Sequence, residues 1–409
     1  MEANVYRPGA GNLPPVLAGR DALLHRLSLV LNDVATVGRP RAHDVILVGP
    51  RGVGKTVTLT TYAQLAAARG FEVLELQAVA GHTGLVESLL QRAASRIEKK
   101  SGPWTRARRA FDRLAGVSLG VAGVSAGVEL HTSSASSRLD PGTLAEALVE
   151  LTDEVRRDQP QGGLFLSVDE LQVASPGDLA LLAATLHRLN VEHPDSAVVF
   201  AGTGLPHTPA VLTAAGVTHP DRLFALEDIP VALSDLDATF AVVEPACRVG
   251  VAWHPDAAAA VVAASNGYPA HLQLFAQAAW ETATGPARIG VDDVAAALPQ
   301  ARAELSRRTL GPRWDRMPDR QMEYLAALAL AGGRTTSRTM GLSLGRTLPE
   351  LSSLRDDLIR EGDIYSPQRG HVALTMPIFR EFILERYDEA RVVSDTDLLS
   401  LDQMRRNRG

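Results

Sequence analysis

Cysteine occurs once in 409 residues, at Cys247, so the chain can close no disulfide within itself and can build no zinc site from several thiolates. That scarcity fits a reducing compartment, and the sequence reads as cytoplasmic. Lysine is nearly absent: Lys55, Lys99 and Lys100 are the whole set, and arginine supplies the other basic side chains, as a GC-rich genome would encode. A basic excess is lacking too. The net charge of -6 argues against a strongly basic nucleic-acid coat, while leaving room for a local basic face. Residues 1–10 have no charged-then-apolar signal pattern. Residues 196–220 and 257–280 are uncharged and reach the ~20 residues of a spanning helix, but prolines, glycines and polar side chains interrupt both, so no membrane partner is expected. A hydrophobic content of 45% is that of a globular chain, and the length allows two or three domains.

What is present begins with Gly49-Pro50-Arg51-Gly52-Val53-Gly54-Lys55-Thr56, a full match to the phosphate-loop pattern G-x-x-x-x-G-K-[ST]. Asp44-Val45-Ile46-Leu47-Val48 reads as a buried strand before it, and residues 57–69 as an amphipathic helix after it, with Gly70 as the stop. The glycines let backbone N–H groups curl around phosphates at a helix N-terminus. Lys55 is expected to reach the β- and γ-phosphates, and the Thr56 hydroxyl to hold Mg²⁺. The expected ligand is therefore ATP or GTP, with ATP favoured, and Mg²⁺ as cofactor.

A second apolar run, Leu164-Phe165-Leu166-Ser167-Val168, ends in Asp169-Glu170. Behind a phosphate loop, such a pair divides its labour: Asp169 orients the Mg²⁺ shell and Glu170 polarises a water for in-line attack. Residues 71–78, 196–201 and 223–226 supply further strands, and helices at 85–97, 141–156 and 180–189 alternate with them, which is a βαβ pattern.

Leu17-Ala18-Gly19-Arg20-Asp21, ahead of a helix bearing Leu23, Leu24, Leu27 and Leu31, resembles the segment that precedes the phosphate loop in AAA+ ATPases of the origin-recognition and replication-initiator type. The resemblance implies that Arg20 and its neighbours pack on the adenine. It also implies that Thr203, at the tip of the strand ending Gly202-Thr203-Gly204, is the first sensor of the γ-phosphate or attacking water. Arg222, after His219-Pro220-Asp221, matches the place of an arginine that acts in a neighbouring subunit, so an ATP-dependent homo-oligomer is expected. Asn266-Gly267-Tyr268-Pro269 resembles the turn that opens a lid helix in initiator-like and signal-transducing ATPases; Tyr268 and Pro269 would cover the base. Where many AAA+ proteins carry a second-sensor arginine in that helix, this chain offers His271.

The expected fold is an α/β P-loop core (41–232) behind an N-terminal linker and helix (1–40), with a helical lid (233–312), a winged helix-turn-helix (316–388) and a polar tail (389–409). From Leu233 the strands are expected to stop, with Pro245, Gly250 and Pro255 as helix breaks. Alternation over 114–131 predicts a β-hairpin inserted in the core. Lys99, Lys100, Arg106, Arg108, Arg109 and Arg113 form the densest basic cluster, either a solvated helix face or a phosphate contact. Helical patterns at 319–331, 336–344 and 348–361, followed by strands at 363–366 and 371–374, make the winged helix. Arg338, Arg346, Ser352, Ser353 and Arg355 are its candidates for contact with duplex DNA, with Arg369 and His371 on the wing, although Glu350, Asp356, Asp357 and Glu361 oppose phosphate approach. Two functions stay open: an ATPase coupling nucleotide state to DNA, and a slow ATP-dependent switch acting on a protein partner.

Overall fold

The computed structural model describes residues 3–9, 11–37, 44–79, 84–98, 104–118, 139–283 and 287–390. They fall into two compact units: Arg20–Gly49 with Lys55–Ile229, and Met1–Gly19 with Pro50–Gly54 and Pro230–Gly409. The first unit runs α1 (Asp21–Val37), β1 (Val45–Val48), α2 (Lys55–Ala68), β2 (Glu72–Gln77), α3 (Leu85–Glu98), α4 (Thr105–Ser118), α5 (Pro141–Asp158), β3 (Leu164–Asp169), α6 (Pro176–Glu192), β4 (Val198–Gly204), α7 (Thr208–Ala214), α8 (Pro220–Leu223) and β5 (Ala225–Asp228).

Its five strands form one parallel sheet in the order β2-β3-β4-β1-β5. Every residue of β1 and β4 is buried, which explains why Val45–Val48 and residues 198–201 are apolar throughout and do not alternate. The outer strand β5 is mostly exposed. Helices begin where their caps direct: Asp140 accepts the N–H of Thr143 ahead of α5, Ser175 accepts that of Asp178 ahead of α6, and each cap is followed by proline at the first helical position.

The hairpin expected over 114–131 is corrected at its start. Helix α4 continues to Ser118, because Trp104, Ala107, Ala110, Phe111 and Leu114 are buried at three- and four-residue spacing and this helical period overrides the alternation that begins at Val117. Residues 119–131 lie outside the described residues, as do Lys99 and Lys100 of the basic cluster. Arg106, Arg108, Arg109 and Arg113 are exposed on α4.

The second unit contains α9 (Asp235–Cys247), β6 (Ala252–Trp253), α10 (Pro255–Ser265), α11 (Pro269–Thr282), β7 (Arg288–Ile289), α12 (Val291–Leu305), α13 (Gly311–Trp314), α14 (Asp319–Leu330), β8 (Arg334–Thr336), α15 (Ser337–Leu344), α16 (Leu348–Glu361), β9 (Ile364–Tyr365), β10 (His371–Leu374) and α17 (Pro377–Ala390). Strands do not stop at Leu233: β6 and β7 pair in parallel. Pro245 does not break α9, since in the last turn it forfeits one backbone bond and the helix ends at Cys247. The N-terminal stretch is no free linker. Tyr6 is buried edge-on against Trp253 and Trp280, donates to the Val242 carbonyl and accepts from the Trp253 indole at 2.8 Å.

The C-terminal part orders its elements as helix, strand, helix, helix, strand, strand, helix, with a three-stranded sheet β8-β10-β9. This is consistent with a winged-helix domain. Glu350 closes a capping box on Thr347 at the start of α16, and Gly362 ends it with φ +78°, a conformation that glycine takes without strain. Two elements here go beyond the sequence reading: β8, of three residues, and α17.

Candidate active site

In the α/β unit the candidate side chains Thr56, Asp169, Glu170 and Thr203 meet at the C-terminal ends of the inner strands. Register explains why. In the β3–β4 pair Val168 stands beside Gly202, so the next residues, Asp169 and Thr203, come side by side; in the β1–β4 pair Val48 stands beside Gly204, and the Gly49 N–H continues the ladder to the Gly204 carbonyl. Strand β1 therefore delivers the phosphate-loop motif next to the strand that carries Thr203.

Asp169 is the hub. Its Oδ2 accepts the Thr56 hydroxyl at 2.9 Å, and its Oδ1 accepts the Thr203 hydroxyl and, at 3.1 Å, the Glu170 N–H. The same Glu170 N–H reaches Thr203 Oγ1 at 3.1 Å. Thr203 is fully buried, and Lys55 is buried at the first position of α2. Glu170 adopts a left-handed backbone, φ +59° and ψ +44°, one of two non-glycine residues with positive φ among those described. Such a conformation costs about 1–3 kcal/mol and persists where surrounding contacts impose it. Here it turns the chain out of β3 into a short 3-10 turn, Leu171–Val173. The Glu170 carboxylate accepts from the Gln172 side-chain amide at 2.5 Å. The sequence reading overlooked Gln172; its one signal is a polar residue between Leu171 and Val173.

A hydroxyl and a carboxylate joined by one hydrogen bond offer oxygen donors only, and few of them. That set fits Mg²⁺, which takes one or two protein ligands and completes its shell with phosphate and water. Among the described residues no group of three or more His, Cys, Asp or Glu side chains is placed to hold a metal by itself.

The other expected residues are placed as follows. Arg20 is buried immediately ahead of α1, with its carbonyl accepting the Leu24 N–H. Arg222 is exposed on α8. In the helical unit, Gly52 and Gly54 take φ of +75° and +92°. Tyr268, 1% exposed, donates its hydroxyl to the Arg51 carbonyl. A Cβ built on Gly52 would stand 2.8 Å from that hydroxyl, so the tyrosine covers the loop backbone itself. Burial pushes the Tyr268 phenol upward, which keeps it a donor. Pro269 is half-buried at the start of α11. His271 packs tilted against Tyr268 and stacks on Phe275, ring centroids 4.5 and 6.0 Å apart, and burial pushes its pKa down to about 4. It is neutral near pH 7 and adds no positive charge.

In the C-terminal part, Arg338, Ser352, Ser353 and Arg369 are exposed. Arg346 pairs with Glu323 at 3.6 Å, Arg355 with Asp356 at 3.1 Å and Arg360 with Asp357 at 3.0 Å. His371 on β10 lies within 3.2 Å of the Gln368 side chain.

Residues 16–199 match the family described as AAA ATPase domain. Over that span, a little under half of the 409 residues, the chain is similar to AAA ATPase domains. Residues 307–383 match a domain of unknown function, DUF8462. Among solved structures, the Walker-type ATPase PABY2304 of Pyrococcus abyssi is similar over 92% of this chain and 98% of its own, with TM-score 0.58 and 16% identity. At that identity the likeness speaks for the fold alone. The Aeropyrum pernix ORC1 protein, solved in complex with DNA, shares 20% identity over 96% of this chain and 100% of its own, with TM-score 0.44. Cdc6p from Pyrobaculum aerophilum shares 14% over 92% and 97%, with TM-score 0.45. No curated protein sequence matches the chain. No described helix is long and apolar enough to cross a membrane. An AAA ATPase domain implies nucleotide binding, usually with Mg²⁺.

Proposed function

We propose that the chain binds ATP with Mg²⁺ along Gly49-Pro50-Arg51-Gly52-Val53-Gly54-Lys55-Thr56, hydrolyses it, and passes its nucleotide state to duplex DNA through the winged helix. The observation that carries the chemistry is the hydrogen-bonded set Thr56, Asp169, Thr203 and Glu170 at the strand ends. In this reading the loop amides and Lys55 hold the phosphates, Tyr268 supports the loop backbone through Arg51, Thr56 and Asp169 hold the metal, and Arg20 borders the nucleoside. A bound Mg²⁺ supplies charge neutralisation on the phosphate oxygens. Glu170 takes a proton from a water that attacks the γ-phosphorus, the bond to the bridging oxygen breaks, and ADP leaves with its new negative charge. Thr203 fixes Asp169 and the backbone of Glu170. Arg222, on an exposed short helix, serves a neighbouring protomer in an ATP-dependent oligomer.

The DNA arm rests on Arg338, Arg346, Ser352, Arg355 and Arg369. Because Arg346 and Arg355 already face carboxylates, few phosphates are neutralised and the salt dependence is shallow, each neutralised phosphate adding ~0.9 to the log-log slope. The same pairing, with Leu342 of α15 and Leu348 at the start of α16 exposed, favours a second reading in which this face meets a protein and the ATPase acts as a slow switch. Turnover and labelled-duplex titration at several salt concentrations, with and without ATP, separate the two. If DNA is the partner, the double variant Arg346→Ala, Arg369→Ala weakens duplex binding across sequences and leaves ATP binding intact. Absence of salt-sensitive duplex binding at low ionic strength in every nucleotide state rejects the DNA arm and leaves the protein switch.

A further inference from the structure

The short turn after Glu170 brings a second polar side chain to the cluster, and both ends of that side chain are used. The Gln172 amide nitrogen donates to Glu170 Oε2 at 2.5 Å, while its amide oxygen accepts the Leu205 N–H at 3.1 Å. Those two partners fix which way the amide faces, since a carboxylate can only accept and a backbone N–H can only donate. Leu205 directly follows β4, the strand that carries Thr203. Gln172 therefore ties the carboxylate beyond the end of β3 to the backbone beyond the end of β4. The left-handed turn, with the Glu170 N–H shared between Asp169 Oδ1 and Thr203 Oγ1, pins the main chain of the same residue. Backbone and Oε2 are thus both held, and among the described residues Oε1 takes no hydrogen bond.

We infer that Gln172 is a positioning residue for hydrolysis: it holds Oε2 so that Oε1 is the oxygen presented to the attacking water. The inference rests on the reading of Glu170 as the base. A base oriented by a third group is the general arrangement for activating a nucleophile, and misplacing the reacting groups by about 1 Å costs on the order of a hundredfold in rate. No electron or atom passes through Gln172. Its contribution is to remove alternative orientations of one carboxylate.

Two variants of the full-length protein test this. Gln172→Met keeps the length of the side chain and removes both polar atoms; Gln172→Glu keeps the shape and sets a second carboxylate against the first. For both, kcat is expected to fall roughly tenfold to hundredfold with the ATP dissociation constant unchanged. In a Glu170→Gln background, Gln172→Met is expected to cost nothing further, because the group it positions is already gone. A merely structural role predicts otherwise: parallel loss of ATP affinity and turnover, or penalties that add across the cycle. Either result overturns the inference, as does wild-type kcat in both variants. If the wild type releases no phosphate, or Glu170→Gln turns over like the wild type, the ATPase reading itself fails and the role of Gln172 falls with it.

Discussion

Replacing Thr203 with valine removes one hydroxyl from the hydrogen-bonded cluster around Asp169 and changes the side-chain shape little. Thr203 is fully buried, so water cannot take the place of what is lost. Its hydroxyl donates to Asp169 Oδ1, a bond to an ionised group worth about 1.5–3 kcal/mol. Its second contact, accepting the Glu170 N–H at 3.1 Å, is shared with Asp169 Oδ1, so that amide keeps a partner and adds little to the loss. The expected destabilisation of the α/β unit is therefore about 2–3 kcal/mol. Thr203→Ser is the control: it keeps the hydroxyl and loses one buried methyl, at about 1 kcal/mol. Chemical denaturation followed by circular dichroism, with nucleotide absent, is expected to rank the variants wild type, serine, valine. Turnover is expected to separate them differently. Serine stays near wild type because Asp169 and Glu170 keep their support, whereas valine drops by tenfold or more with ATP affinity retained. Equal turnover in the serine and valine variants would refute the reasoning, since the hydroxyl would then have no part in holding the cluster.

Two further outcomes follow from the helical unit. Arg313→Ala leaves Asp363 fully buried without the guanidinium that pairs with it, and about 3 kcal/mol of stability is expected to be lost near neutral pH. Burial already pushes the Asp363 carboxyl up, with Arg313 opposing, so the variant raises it further. A folded-state value above the unfolded ~3.9 gives stability that is present below the unfolded value and lost as pH rises through the folded one. The penalty is therefore larger at pH 8 than at pH 5; a pH-independent penalty in thermal melts contradicts it. Tyr268→Phe removes the bond to the Arg51 carbonyl, an exposed residue whose carbonyl water can serve, so about 1 kcal/mol of stability is lost and ATP affinity falls by less than about tenfold. Calorimetric titration with ATP checks this, and complete loss of binding contradicts it.

The loop and the acidic strand end were legible in the sequence because each rests on a local signal, a fixed spacing of glycines and a buried run ending in two carboxylates; Thr203 was singled out by the resemblance to AAA+ ATPases. What escaped depends on contacts between distant positions or on elements too short to show a period. Nothing local announces the left-handed backbone of Glu170, whose N–H is bonded to Thr203, 33 residues away. Gln172 gains its role from Leu205, equally far along the chain. Strands β6 and β7 have two residues each, a single cycle of alternation and too short to show a period. Tyr6 reads as part of a Pro- and Gly-rich linker, and only the distant Trp253 and Trp280 make it a core residue. Helix α4 was misjudged at its end for the opposite reason: a real alternation begins at Val117, and a helical face already under way prevails over it.

Phosphate release from ATP by the wild type and by Lys55→Ala, with Mg²⁺ present and with it chelated, tests the central claim most directly. The account predicts steady release by the wild type that requires Mg²⁺ and disappears in a Lys55→Ala protein whose circular dichroism is unchanged. Release that persists in that variant, or a folded wild type that releases none, contradicts it.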